Sequence, residues 1–300
     1  MKFSVIIPTY SRTELLKKAI ESVTSQSYQN YEIIVVNDNP EEKSLVDALI
    51  NQSNKIKVIH HTSSKGGNAA RNSGIIQSKG DIIAFLDDDD VWLPEKLASH
   101  AKEHEKDPKA GLVYSDCLYV YNNPLISDSK SAAAVPSNII EAMGNAKYCP
   151  ATSSIVSITR QCVEKCGLFD ESLVSFQDWD YWFRIAHVFS FAHIPKVLVH
   201  FTQHLGDRTS QNENKRKKGL SQICSKWGEK INVNEFKQKA IISIYFKNSK
   251  NALLAGKKYT AFKKSLKLLN LEILSINSIK SFIKLLLELI SVKKIKSLKI

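Results

Sequence analysis

The sequence contains no run approaching the ~20 apolar residues that span a bilayer. Its N-terminal MKFSVIIPT carries only a brief apolar stretch before Pro8, too short for a secretory signal. Both absences set the expectation of a cytoplasmic protein whose membrane contact is peripheral, at the inner face of the cell membrane. Cysteine is scarce and unpatterned. The five residues (Cys117, Cys149, Cys162, Cys166 and Cys224) are odd in number and irregularly spaced, which argues for reduced thiols and against a disulfide framework. Cys162 and Cys166 lie one helical turn apart, yet no second Cys or His pair completes a zinc set. Arginine is missing from Ile231 onward, where lysine supplies all the positive charge.

What is present is ordinary in bulk and uneven in layout. The chain has 300 residues, 43% hydrophobic and 24% charged, enough for one large domain or two smaller ones with a buried core. The formal net charge is +12. Between Ile231 and Ile300 there are fifteen lysines and three glutamates, while the preceding residues balance 27 basic against 27 acidic side chains. The excess therefore sits on the tail and calls for an anionic partner there.

The most informative stretch runs from Gly66 to Pro94, GGNAARNSGIIQSKGDIIAFLDDDDVWLP. A short apolar strand, Asp81 to Leu86, delivers four consecutive carboxylates, Asp87 to Asp90. Like charges so close repel, and a cation normally offsets them. All-oxygen donors with no nearby His or Cys favour Mg²⁺, Mn²⁺ or Ca²⁺ over Zn²⁺. A solvated acidic turn is the plain alternative, but the apolar residues on both sides speak against free solvation.

Around this stretch the pattern alternates. Phe3 to Ile7 predicts a buried strand closed by Pro8, and Ser11 with Glu14 predicts a capping box opening a helix. Tyr31 to Val36 and Ile56 to His60 predict further strands separated by helices. Such alternation implies a parallel sheet with right-handed crossovers, whose ligands bind beyond the carboxyl ends of the strands. Thr9, Tyr10, Asn37, Asp38 and Asp87 to Asp90 all fall at such ends. Arg71 is either a surface arginine or a cation aimed at a phosphate. Gly111 to Val120 and Ser153 to Ile158 read as strands, and Asn122 to Pro136 as a loop over the crevice. In FQDWDYWFRI (Phe176 to Ile185), Asp178 either caps an aromatic helix or serves as a desolvated base. The neighbouring aromatics suit the apolar face of a sugar. His204 follows the strand Val197 to Phe201 and opens a polar loop, in reach of a metal or phosphate.

From Asn234 onward three segments (Ala240 to Phe246, Ala252 to Leu269, Ser281 to Ile300) show helical spacing with lysines opposite the apolar positions. They fit an anionic membrane surface better than nucleic acid, since arginine is absent and the aromatics sit at core spacing.

Taken in order, VIIPTYSR, IIVVNDN, GGNAARNSGI, GDIIAFLDDDD, CGLFDESL and FQDWDYWFRI resemble the family 2 glycosyltransferases of the GT-A fold, over roughly Lys2 to Ser210. The resemblance implies an α/β protein: a Rossmann-like mixed, mainly parallel sheet flanked by helices, with a lysine-rich helical extension. It implies a catalytic domain over 1–215 (nucleotide-sugar half 1–110, acceptor half 111–215) and an extension over 216–300. The implied activity is inverting transfer of a sugar from a nucleoside diphosphate, UDP favoured, to a hydroxyl of a lipid-linked or surface-glycan acceptor. By motif position, Pro8, Thr9, Tyr10 and Arg12 would line the nucleotide pocket and Asp38 would bond the base. Arg71 would meet base or diphosphate. Asp87 and Asp88 would face the nucleotide-sugar, Asp89 and His204 would hold Mn²⁺ or Mg²⁺, and Asp178 would be the general base. Trp179 and Asp180 would face the acceptor. The chain departs from the family at Asn37, at Gln177 before the base, and at Thr202. It has no Q-x-x-R-W motif, so a processive synthase is not expected. A nucleotidyltransferase would show a Gly-rich basic loop where VIIPTYSRTE stands, and a non-catalytic sugar-nucleotide binder would not need Asp87, Asp89 and Asp178 together.

Overall fold

In chain order the elements are β1 (Phe3–Thr9), α1 (Thr13–Thr24), β2 (Tyr31–Asn37), α2 (Lys43–Ile50), β3 (Ile56–His60), α3 (Gly67–Gln77) and β4 (Ile82–Phe85). They continue with β5 (Val91–Trp92), α4 (Lys96–Lys106), β6 (Ala110–Tyr121), β7 (Ser127–Lys130), α5 (Ile139–Gly144), β8 (Val156–Thr159), α6 (Arg160–Cys166), α7 (Gln177–Ala186) and β9 (Ser190–Gln203). Three helices follow: α8 (Glu213–Trp227), α9 (Val233–Leu254) and α10 (Lys258–Ser265). The computed structural model describes residues 1–50, 54–121, 127–130, 132–150, 152–203, 212–254, 256–269, 276, 279–283 and 286–287.

β1, β2 and β4 are buried along nearly their whole length, so both faces of the sheet must be covered. They pair in parallel in the order β3-β2-β1-β4, with Ile6 opposite Ile34 and Phe85. Beyond β4 the sheet is mixed: β8 runs antiparallel to β4 and β6, β6 is parallel to β9, and β5 is antiparallel to β9. On one side α3 packs its Ala70 against Ile34 and Val36, and Phe85 meets Phe169 and Trp182. On the other, the Gln26 side chain joins the end of α1 to the start of α4 through Leu93 O and Leu97 N–H.

Several local expectations are corrected. β1 does not stop at Pro8 but runs to Thr9. Ile6 accepts from Leu86 on the β4 side and Thr9 from Asp38 on the β2 side, so Pro8, in step with Ile6, points toward β4. Pairing with β4 ends at Ile6–Phe85, and the missing N–H therefore costs no ladder bond. The capping box does not form. Arg12 holds the N-cap position without a side-chain cap bond, while Ser11 adopts φ 55° and its Oγ accepts from Asn39 Nδ2 at 2.9 Å. Within Asn122 to Pro136, Ser127–Lys130 is a strand paired with β6 through its backbone, which no apolar alternation announced. Residues 153–155 form a 3₁₀ turn ahead of β8.

The chain divides into two compact units. One comprises Met1–Ile140, Tyr148–Ser172 and Gln177–His204, and the other Glu141–Lys147, Leu173–Phe176 and Leu205–Ile300. The second unit thus takes two short segments from the middle of the chain. Val174 N–H donates to Gln222, Gly219 packs against Ser175, and Phe176 faces Phe236 and the Arg216 guanidinium. α9 is continuous through Ala240–Phe246, and Gly256 at φ 75° breaks the chain before α10. Residues 288–300 of the expected last helix lie outside the described residues.

Gly80 lies where β4 passes β1. A Cβ there would stand 2.7 Å from Lys2 O and Ser4 N, which are backbone atoms that cannot rotate away. Gly80→Ala is expected to destabilise by about 1–3 kcal/mol, read as a lowered melting temperature.

Candidate active site

At the end of β4 the four aspartates do not point at one another but are shared out among neighbours. Asp87 accepts from Arg71 Nη2 at 2.6 Å, and its N–H donates to Ser154 Oγ at 3.1 Å. Asp88 accepts from Thr9 Oγ1 at 2.8 Å and Arg12 Nη1 at 3.2 Å. Arg12 also reaches Asp89 at 2.9 Å. Asp90, fully buried, accepts from Ser154 Oγ at 2.6 Å and from the Thr202 N–H at 3.0 Å. The β1, β4 and β9 ends are thereby tied together within the first unit.

Two guanidiniums serve four carboxylates, and the shortfall shows in their titration. Burial pushes Asp88 up to about 6, with Arg12 opposing and Asp89 adding. Burial and the charges of Asp89 and Asp87 hold Asp90 well above the usual range. The donor set is all oxygen, so a hard divalent cation fits the cluster in both charge and chemistry. Among the described residues no three His, Cys, Asp or Glu side chains converge as a complete ligand set. His204 lies outside the described residues.

Asp38 is corrected as a base contact. One oxygen accepts from His61 Nδ1 at 2.7 Å and Lys65 N–H at 2.8 Å, the other from Ser64 Oγ and Gly66 N–H, each at 2.8 Å. Its lone pairs are spent on the loop that enters α3, where Gly66 adopts φ 91°. Burial raises its carboxyl, but the hydrogen bonds outweigh this and hold it below the usual range. Tyr10, by contrast, is 54% exposed beside the crevice, an open aromatic face.

Arg71 rises from α3 over the Phe169 ring, 5.8 Å from its centroid, with its Nε buried and without a partner. Asp178 stands in the first turn of α7, partly exposed, yet its Oδ1 is buried and accepts no hydrogen bond. Burial pushes its carboxyl up to about 6, with Arg71 opposing and Asp87 adding. Phe176, immediately before α7 and two residues ahead of Asp178, holds φ 63°, a strained setting for a side chain with a Cβ. Asp180 is corrected as an acceptor contact. It is fully buried, paired with Arg184 at 3.1 Å, and Arg184 also holds the carbonyls of Cys166 and Leu168. Trp179 is likewise turned inward, stacked on Phe183 at 4.6 Å. Ser153 and Ser154, absent from the sequence-based candidates, bond into the acidic cluster and its arginine.

Comparison with known proteins decides what this site belongs to. The sequence is 31% identical over 234 residues to YwdF, an uncharacterized glycosyltransferase of Bacillus subtilis (strain 168), covering 76% of this chain and 85% of that protein. The profile of glycosyl transferase family 2 matches residues 4–145. The chain belongs to glycosyl transferase family 2. It is therefore a glycosyltransferase. A second family relative, the GalNAc(5)-diNAcBac-PP-undecaprenol beta-1,3-glucosyltransferase of Campylobacter jejuni, is 40% identical over 101 residues, a third of each chain (33%). The chain spans only 32% of a Rickettsia bellii relative, matched at 32% identity over 233 residues. Among solved structures, S. aureus TarS 1–349 in complex with UDP-GlcNAc aligns with a TM-score of 0.59 at 17% identity, covering 97% of this chain and 81% of TarS. The Pyrobaculum calidifontis mannosyltransferase PcManGT, in complex with GDP-Man and Mn²⁺, aligns with a TM-score of 0.59 at 19% identity, over 93% of this chain and 77% of its own. The glycosyltransferase fold expected from sequence, a mixed α/β sheet with C-terminal helices, is thus borne out.

Proposed function

We propose that this family 2 enzyme transfers a hexose or N-acetylhexosamine from a UDP-sugar to a hydroxyl of a lipid-linked or surface-glycan acceptor, with inversion. The observation that carries the reading is Asp178: a buried, unpartnered carboxylate oxygen, titrating near neutrality, beside the Arg71–Asp87 pair. The acceptor proton passes to the Asp178 carboxylate as the acceptor oxygen bonds the anomeric carbon. The bond from that carbon to the diphosphate breaks, and its electron pair leaves with the nucleotide. One base suffices, because no covalent sugar–enzyme intermediate is formed. Tyr10 offers a stacking face to the base, and Arg12 and Arg71 offer positive charge to the diphosphate. Asp89 would hold Mn²⁺ or Mg²⁺, with Asp87 facing the nucleotide-sugar. When bound, the cation supplies charge neutralisation to the leaving diphosphate.

No helix among the described residues is long and apolar enough to cross a membrane. The second unit presents Tyr259 (79% exposed), Phe262 and Leu266 beside its lysines. We assign this lysine-rich, apolar surface to peripheral contact with an anionic membrane, where a lipid-linked acceptor would reside.

The test is thermal stabilisation by UDP, GDP, dTDP or CMP, each with Mn²⁺, Mg²⁺ or EDTA. A nucleotide at a hundred times its Kd adds about 2.7 kcal/mol, a rise of roughly 5–10 °C. UDP with a divalent cation is expected to give this rise and EDTA to abolish it. A folded protein that responds to no nucleotide would overturn the donor assignment.

A further inference from the structure

Lys96 is buried where no step of sugar transfer needs it. It sits on α4 at 1% exposure, with its Nζ 2.7 Å from Ile155 O, 2.5 Å from His100 Nε2 and 3.5 Å from Ser115 Oγ. The His100 ring continues to Ser157 Oγ at 2.7 Å, and Ser157 to His104 at 2.9 Å. Burial holds Lys96 and His100 well below their usual ranges and His104 at about 4. An apolar side chain would fill this space without the cost of desolvating an amine. The amine's hydrogen bonds therefore set it apart from core filling.

Those bonds share a target with Trp92 of β5. The Trp92 Nε1–H donates to Ser154 O at 2.9 Å, next to the Ile155 carbonyl that Lys96 holds. Its ring also lies 5.7 Å from the Lys96 Nζ. Two successive carbonyls of the 3₁₀ turn are thus gripped from the α4 side. The hydroxyls of the same turn face the acidic cluster: Ser153 Oγ lies 3.4 Å from Arg71 Nη2, and Ser154 Oγ accepts from the Asp87 N–H and donates to Asp90. Clamping the carbonyls fixes the backbone of the short turn, and with it the positions from which the two serine side chains project toward the cluster.

We propose that Lys96 and Trp92 are positioning residues that act through the turn Ser153–Ile155 to fix the spacing of Asp87 and Asp90, and thereby the affinity for the donor diphosphate. The proposal rests on the nucleotide-sugar reading and adds to it a support no motif contains.

The experiment is equilibrium titration of the full chain with UDP in the presence of Mn²⁺, without acceptor, so that binding is read apart from turnover. Trp92→Phe keeps an aromatic ring and removes the N–H donor together with some buried volume, an effect that the Leu97→Ala control reports. Lys96→Met removes the amine at similar length. Leu97→Ala, on the same helix and 1% exposed, serves as a purely destabilising control. Trp92→Phe and Lys96→Met are expected to weaken UDP binding by about 10-fold or more, while Leu97→Ala lowers the melting temperature and leaves Kd within about twofold. Should Lys96→Met fail to fold, Trp92→Phe decides alone. A Trp92→Phe Kd within twofold of wild type, or an equal weakening in Leu97→Ala, overturns the proposal and leaves the donor reading standing. A wild-type protein that binds no UDP overturns both.

Discussion

Replacing Asp178 by asparagine is expected to lower kcat by about 10²–10⁴ while leaving UDP-sugar affinity within a few-fold of wild type. The amide preserves the shape of the side chain and cannot take the acceptor proton. The same substitution is expected to stabilise the fold at neutral pH. A carboxyl raised to about 6 in the folded chain favours folding below the unfolded value, near 3.8, and loses that contribution as pH rises through 6. At pH 7.5 the ionised, poorly solvated Asp178 therefore costs up to about 3 kcal/mol, which asparagine removes. Melting curves should show the variant above wild type at pH 7.5 and level with it near pH 4. Loss of activity together with a lowered melting temperature at pH 7.5 would instead place Asp178 among the structural carboxylates. Asp180, paired with Arg184, already stands there.

That contrast between Asp178 and Asp180, two residues apart in one helix, marks where the sequence stops being readable. Periodicity placed both on α7, but which one faces the site depends on what α3 and β4 bring against each side. The parallel half of the sheet was legible because its strands are short apolar runs, and the run Asp87–Asp90 was legible because its members are adjacent. Their partners were not. Ser154 reaches Asp90 across 64 positions and Thr202 across 112, and nothing local in a serine or threonine announces such a bond. Asp38 failed in the opposite way. Its motif was plain, but His61 and Ser64, which spend its lone pairs, belong to a loop whose path only the tertiary structure determines. Ser127–Lys130 was missed because a strand held by backbone pairing needs no apolar alternation.

Arg71 pairs with Asp87 and opposes the rise of Asp178, so its removal should shift the pH profile as well as lower the rate. Its guanidinium, 9% exposed, pairs with Asp87 at 2.6 Å and opposes the rise of Asp178. In wild type the acid limb of kcat/KM is expected near pH 6, below which Asp178 is protonated and the rate falls about tenfold per pH unit. Arg71→Met leaves Asp178 beside the charge of Asp87 without the opposing cation, so Asp178 favours the neutral acid more strongly. The limb should move upward by about one pH unit or more. The variant should be most impaired at pH 6–7 and recover part of its activity at pH 8–9. Stability should fall as well, because taking one partner from a buried pair strands the other, at a cost approaching about 3 kcal/mol. Arg71→Lys retains the charge but lacks the planar guanidinium whose Nη2 meets both Asp87 and Ser153, so its limb should lie between the two. The pH dependence of kcat/KM across the three proteins checks this ordering. An unmoved limb in Arg71→Met would mean that the titrating base is not in contact with this pair, and Asp178 would lose its assignment with it.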